Sequence, residues 1–363
     1  MSVFMIAARR SAVVPRGGAF AKLSIEDLSA PVIRALLGDA GLLPEDVDEV
    51  VCSNALGAGG NPARRVALAA GLPERVAGLS TDRQCVGGLD ALLLARALVV
   101  SGVARVVIAG GVESYSRRPI RLATDPKGGP SKPYDQPPFT PWPERDPNMT
   151  LAAADLAQRL QITRNDQDQL AVHSHGMALA ARGRMAREIV PILGQTQDGF
   201  TRAFSHALAA RAATLSGTIT AGNTAVAADA AAFVIITTPD IAQGRGLRLL
   251  SGVTLGAEPA EPALGAIPAM IAALEMAHCT AQDLHIVELM EAYAVQAIAC
   301  AEALGLMSQT LNRGGGALAR GHPIGASGAI LAVRMFHELH QGRGMAAISA
   351  AGGLGTAVVF ERA

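Results

Sequence analysis

Aromatic side chains make up only 3% of this 363-residue sequence, too few for the base-stacking platforms of single-strand nucleic-acid binders. Neither charge is in excess, with 31 Lys and Arg against 31 Asp and Glu. That balance marks no nucleic-acid surface, although a local basic patch is compatible with holding a phosphate. Long apolar runs are missing too. Asp90 and Arg96 break the run after Cys85, and Asp229 breaks the one near 221–236, so neither reaches the ~18 uninterrupted residues of a membrane span. Cysteine occurs only at 52, 85, 279 and 300, with neither metal-ligand spacing nor the density of a disulfide scaffold. The opening MSVFMIAARRSAVV puts an apolar strand pattern ahead of its arginines, the reverse of a secretory leader. The expectation is a cytoplasmic protein with reduced thiols, without a metal, a membrane or a nucleic-acid partner.

Half of the residues are hydrophobic and 17% are charged, which supports a large core over a length sufficient for two domains. Strand and helix patterns alternate. SVFMIAA, VDEVVCSNAL and VARVVIAGGVES read as strands. SIEDLSAPVIRALLGDAG reads as a helix capped by Ser24, with Glu26 and Asp27 in its first turn and Gly41 after its end. A second helix follows Cys85 and stops at Gly102. The later part repeats the order: HIVELMEAY as strand and turn, AVQAIACAEALG as a helix closed by Gly305, GHPIGASGAILAVRMFHELHQG as a glycine-rich turn entering a helix, then strands MAAISAAGG and TAVVFER. Such alternation predicts an α/β fold with a mainly parallel sheet under helices.

Two segments overlay by element order. Cys85 leads through a helix and the strand RVVIA to Gly110–Gly111; His322 leads through a helix and the strand MAAIS to Gly352–Gly353. The reading is two similar βαβαβ-type halves with helices in layers, each offering one reactive side chain at a helix start, near the strand ends where such sheets bind ligands. Residues 1–116 and 223–249 form the first half and residues 250–363 the second. Residues 117–222 are an inserted loop domain lying over the first half: 117–148 is rich in proline, glycine and charge, and helical patterns follow.

Two stretches carry chemistry. In RQCVGGLDALLLA, Cys85 stands where a helix begins, and the free N–H groups of a helix start favour a thiolate and the oxyanion it makes on a carbonyl. In NRGGGALARGHPIGASG, glycines bracket His322 and allow the loop to close tightly on a substrate. Other glycine chemistries fail on detail. GGLGTAV lacks the last glycine of a dinucleotide fingerprint, GASGA lacks the spacing of a nucleophile elbow, and no P-loop is present. Cys52, Cys279 and Cys300 sit in apolar runs and read as core. His173 and His175 read as solvent-facing on a polar helix, and Arg182, Arg184 and Arg187 as a solvated face with a lesser claim on a CoA phosphate.

These motifs, together with AGGVES, ITRNDQDQLAVHSHGMALAARGRMAREIVP, TAGNTAVAADAAA, GAEPAEPALGAIPA, MEAYA and GGLGTAVVFE, cover nearly the full length. On them the chain resembles the thiolase family of acyl-CoA C-acyltransferases. The resemblance implies that Cys85 is acylated by an acyl-CoA and that His322 takes the thiol proton and polarises a thioester carbonyl. It implies acyl-CoA as substrate with no further cofactor, a homodimer or homotetramer, and room for a small accessory protein. It puts Met149 at the acyl site and Ala225 where relatives use a serine against pantetheine. Tyr293, Ala351 and Gly353 fall at substrate and oxyanion positions.

The sequence departs from the family pattern at the carbon–carbon bond half of the site. Met290 replaces the asparagine of Asn-Glu-Ala-Phe, and a thioether cannot position a water as an amide can. Ser349 stands in place of the second cysteine, and an alcohol is a far poorer proton acceptor than a thiolate. Ala351 replaces a glycine. Three readings stay open: a thiolase, in thiolysis or Claisen condensation, with a remodelled base; an acyltransferase passing the Cys85 acyl group to another acceptor without enolate chemistry; or a degenerate subunit needing a partner.

Overall fold

The computed structural model describes residues 2–57 and 59–362. Its first half holds β1 (Phe4–Ser11), α1 (Ile25–Ala40), β2 (Glu49–Ser53), α2 (Pro62–Ala70), β3 (Leu79–Thr81), α3 (Gly87–Val100) and β4 (Val106–Ser114). α1 begins and ends where its local chemistry dictates. The Ser24 hydroxyl accepts from Asp27 N–H at 3.1 Å, the Asp27 carboxylate accepts from Ser24 N–H at 2.9 Å, and Gly41 closes the helix at φ +67°. α4 (Met149–Arg159) and α5 (Arg164–Met185) lie in the inserted segment. β5 (Ala228–Thr237) and β6 (Leu247–Gly256) follow, then α6 (Ala266–Met276), β7 (Leu284–Leu289), α7 (Ala294–Ala303), α8 (Ile324–Glu338), β8 (Gly342–Ala350) and β9 (Leu354–Arg362).

The strands run in one sheet in the order β7-β8-β9-β6-β1-β5-β4-β2-β3. The duplication expected from element order is visible in this topology. β2 is parallel to β4, which is antiparallel to β5, which is antiparallel to β1; β7, β8, β9 and β6 repeat the same relations. The halves meet at a seam of two residue pairs, Phe4 with Arg248 and Met5 with Leu247. The sheet is therefore mixed rather than mainly parallel. β5, β6 and β9 return antiparallel beside the βαβ strands, and alternation along the chain does not reveal strands that return without a crossover helix. Gly110 and Gly111 also do not mirror Gly352 and Gly353: the first pair lies inside β4 and the second in the turn after β8.

Three apolar clusters define the layers. α1 and α2 cover the outer face of the first half, with Ile33, Leu36, Val50, Ile108 and Phe233 between them. α6 and α7 cover the second half over Met270, Val287, Met345 and Val359. α3 and α8 fill the space between the two halves; α8 is buried over nearly its whole length, and a helix so enclosed must be apolar almost all round. Leu89 and Leu92 of α3 are fully buried, each contributing ~1.5–3 kcal/mol. Asp90, the acid within α3, is held by Arg83 and by the Thr254 hydroxyl, each at 2.8 Å. The two central helices cross backbone to backbone. A Cβ on Gly88 would stand 2.4 Å from the Ala329 nitrogen, and one on Gly328 2.4 Å from the Leu89 nitrogen.

The inserted segment spans both halves instead of lying on the first alone. α4 and α5 pack on α7, and α5 also packs on the short turn of helix Ala317–Arg320. The tie is polar and buried: the Ser174 hydroxyl of α5 donates to Glu291 at 2.8 Å and accepts from Gly316 N–H at 2.8 Å. Ile189 and Val190 pair with Arg10 and Ser11 of β1.

Candidate active site

Cys85 sits in a single 3-10 turn, Gln84–Val86, directly before α3. Gln84 takes φ +47°, left-handed for a non-glycine residue, and its N–H is held by Asp82 at 3.0 Å. His322 stands just ahead of α8, its N–H donating to Val226 O at 2.7 Å. Because both reactive residues precede the two helices that cross at Gly88 and Gly328, packing of the central layer brings them together. The Cys85 Sγ lies 3.2 Å from His322 Nε2.

The far side of the ring decides what that contact can do. His322 Nδ1 is 2.6 Å from the Ser327 hydroxyl, which donates to Pro323 O at 3.1 Å. With its proton given to the carbonyl, Ser327 accepts from Nδ1–H, and the Nε2 lone pair faces the thiol. Ser327 carries no signal in the sequence beyond being a hydroxyl in the first turn after the histidine. Glu113 was likewise visible only as part of AGGVES. It is buried and accepts from Gly325 N–H at 3.0 Å, Ala55 N–H at 3.1 Å, Leu56 N–H at 3.2 Å and Asn54 Nδ2 at 2.8 Å. It thus fastens the loop after β2 to the first turn of α8, and burial pushes its carboxyl up to about 7.

The thiol is not ionised at rest, contrary to the expectation from its helix. Burial pushes Cys85 up to about 12, while its own N–H and that of Ala351 pull the other way and Glu113 and Asp82 add to the rise. Burial brings His322 down to about 4. Desolvation therefore outweighs the helix start, and the pair rests as thiol and neutral imidazole. The sign of the pH dependence follows. The base form of His322 is present above about 4, so any reaction in which Nε2 takes the Cys85 proton is expected to stay flat from mildly acidic pH to neutrality and to fall about tenfold per unit below the His322 value. Stopped-time mass spectrometry across pH checks this; a rise centred on the ordinary histidine or thiol range contradicts it.

The pair opens into a cleft of about 650 Å³ that also brings together Met149, Ala225, Tyr293, Ser349 and Ala351. The Tyr293 hydroxyl meets the Thr150 hydroxyl at 3.1 Å, and Ala225 N–H donates to Ala292 O at 2.9 Å. Ser349 faces the cleft with its hydroxyl already committed, accepting from Ala266 N–H at 2.9 Å and donating to Ala263 O at 3.0 Å. Met290 and Gly353 do not line the cleft. Met290 is 2% exposed within the central core, where a flexible thioether packs well. Gly353, at φ +71°, shapes the β8–β9 turn, and its carbonyl accepts from Ala257 N–H at 2.6 Å. A place in a motif fixes position along the chain but not the direction of a side chain.

Of the other singled-out residues, Cys52 and Cys300 are buried and Cys279 is half-buried. His173 is exposed. His175 is buried rather than solvent-facing, packed on Phe200 and Phe204 and lowered to about 4 by burial. Arg184 pairs with Glu338 at 2.7 Å and Arg182 donates to Thr201 O at 2.9 Å. No described helix is long and apolar enough to cross a membrane.

Comparison with known proteins matches the family model described as thiolase, N-terminal domain, to residues 3–240, and that described as thiolase, C-terminal domain, to residues 247–362. The chain is 36% identical to an acetyl-CoA acetyltransferase of Cupriavidus necator over 99% of each chain. It is 36% identical to YhfS of Bacillus subtilis over 99% of each. With VraB of Staphylococcus epidermidis the identity is 34% over 99% of this chain and 98% of the relative.

Proposed function

The chain belongs to the thiolase family and is an acyltransferase, and we propose that it works by carrying the acyl group on Cys85. The observation that supports this is the 3.2 Å contact between the sulfur and Nε2 of His322, at the wall of an open cleft. As Sγ attacks the thioester carbonyl of an acyl-CoA, the thiol proton passes to Nε2. The N–H groups of Cys85 and Ala351, which favour negative charge at the sulfur, are the donors available to the oxyanion. The CoA thiolate leaves with the proton from His322, and the acyl-enzyme divides one difficult transfer into two easier ones. CoA enters and leaves as substrate and product, and this scheme calls on no other cofactor.

The acyl-enzyme so formed serves condensation, in which the enolate of a second acyl-CoA takes the acyl group; in thiolysis, the reverse, Sγ attacks the 3-keto carbonyl of a 3-ketoacyl-CoA, the C2–C3 bond breaks, and the acetyl-CoA enolate leaves. In thiolysis the proton balance closes on His322 alone. The proton taken from Cys85 returns to the α-carbon of the departing acetyl-CoA enolate, and an incoming CoA thiol then releases the acyl group through the same imidazole. A competing reading is favoured by one observation: the Ser349 hydroxyl is tied to Ala263 and Ala266, so the acyl group would go to an acceptor that needs no enolate.

Supplying a 3-ketoacyl-CoA with free CoA separates the two. Formation of acetyl-CoA supports thiolysis; efficient acylation of Cys85 without it supports the other acceptor. Ser349→Cys is expected to raise thiolysis by about 10- to 100-fold, the size of a positioned general base. An unchanged rate would remove position 349 from the chemistry.

A further inference from the structure

Three arginines line the cleft that holds Cys85: Arg16, Arg118 and Arg121. Among the described residues neither Arg16 nor Arg121 has a carboxylate within ion-pair distance, and Arg118 pairs at 3.1 Å with Asp135, whose side chain is 91% exposed. Asp82 and Asp135 are the acids lining the same cleft, so three positive charges face two negative ones. An exposed pair of this kind contributes little and yields readily to a better-placed anion.

The cluster is built rather than incidental. Arg16 and Arg118 lie over the Tyr115 ring at 5.6 and 4.9 Å, positions of cation–π contact. The loops that carry them are pinned together beneath: Gly17 N–H donates to the Ser116 hydroxyl at 2.9 Å, and Ser116 donates from both its N–H and its hydroxyl to the buried Asp229. Arg121 donates to Ala55 O at 3.1 Å.

We propose that Arg16, Arg118 and Arg121 form a subsite for an anionic oxygen group at the far end of the acyl chain, so that the favoured substrates are acyl-CoA esters whose acyl group ends in a carboxylate. The inference rests on the acyl-enzyme reading above for its substrate class. Guanidinium forks match carboxylate and phosphate alike, and the phosphates of CoA are the other source of such a group. The place of the three arginines in the lining of the same cleft as Cys85 and His322 favours the acyl carboxylate. Arg121 holds the carbonyl of Ala55, the N–H of Ala55 holds Glu113, and Glu113 holds Gly325 in the first turn of the His322 helix. Two residues thus connect Arg121 to the first turn of the helix that follows His322.

Calorimetric binding to the Cys85→Ala variant tests the subsite without acyl transfer, with succinyl-CoA, the equally long butyryl-CoA and their pantetheine counterparts as probes. The Cys85→Ala protein prefers succinyl-CoA to butyryl-CoA, and adding Arg121→Gln or Arg16→Gln lowers that preference by about 10- to 100-fold, the worth of a charge-assisted hydrogen bond; the Arg16 change is at an exposed side chain and keeps the test available should Arg121→Gln not fold. Equal binding of the two CoA esters overturns the proposal. So does an arginine loss that weakens both CoA esters alike while sparing the pantetheine esters, which assigns the cluster to phosphate. Intact mass of the wild-type protein after each CoA ester reads the acyl-enzyme separately. A binding preference without an adduct sinks the acyl-enzyme and upholds the subsite, and an adduct without a preference does the reverse.

Discussion

Incubated with acetyl-CoA, the wild-type chain is expected to gain one acetyl group and Cys85→Ala none, with transfer activity about 10⁴-fold or more lower in the variant, as when a covalent nucleophile is lost. The size of the effect follows from what surrounds the sulfur. Its thiol is held up to about 12 by burial, so on the proposed mechanism it reacts only when a substrate fits against it and Nε2, 3.2 Å away, takes the proton. The same geometry makes Cys85 slow towards a simple alkylating reagent while still fast towards a fitting thioester, because a thiolate is the attacking species and this one forms only in the reaction. The peptide carrying the adduct decides the matter. Label on Cys279, which is half-buried, or equal labelling of the wild type and the variant, removes Cys85 from the role.

Gly88→Val is expected to lose more than ~3 kcal/mol of stability or to fail to fold, an overpacking effect at the upper end of its class. The added Cβ would stand 2.4 Å from the backbone nitrogen of Ala329, and two crossing backbones have no flexible side chain to move aside. Separation of α3 from α8 would also pull Cys85 from His322, so any folded fraction loses acylation together with stability. Gly38 provides the contrast. It lies within α1, and a Cβ there meets nothing within 4 Å, so Gly38→Ala is neutral or stabilising by up to ~1 kcal/mol. Chemical denaturation of the two variants measures the difference, and a Gly88→Val protein with a midpoint near that of the wild type contradicts the close crossing.

The elements legible in the sequence are those governed by neighbours along the chain. The Ser24 cap, the Gly41 stop and the apolar run after Cys85 each encode a local decision, and the observed helices keep it. α2 and β3 are short, with too little pattern to stand out. The antiparallel returns of β5, β6 and β9 were hidden because pairing direction depends on strands far apart in sequence. Cys85 and His322 were legible from residue type and glycine context. Ser327 and Glu113 were not, since an ordinary hydroxyl and an ordinary carboxylate gain their roles only from what they face. Met290 and Gly353 show the opposite failure: their positions in the motifs are as expected, but one side chain turns into the core and the other residue serves a turn.

The sequence alone determined the family resemblance, the duplicated order of elements and the choice of Cys85 and His322 as candidate thiol and imidazole, because each depends on residue type and spacing. Only the tertiary structure decided that the two meet at 3.2 Å, that the imidazole presents its lone pair, and that the thiol stays protonated. Those properties come from desolvation and from hydrogen bonds between segments distant in the chain, and both are set by packing.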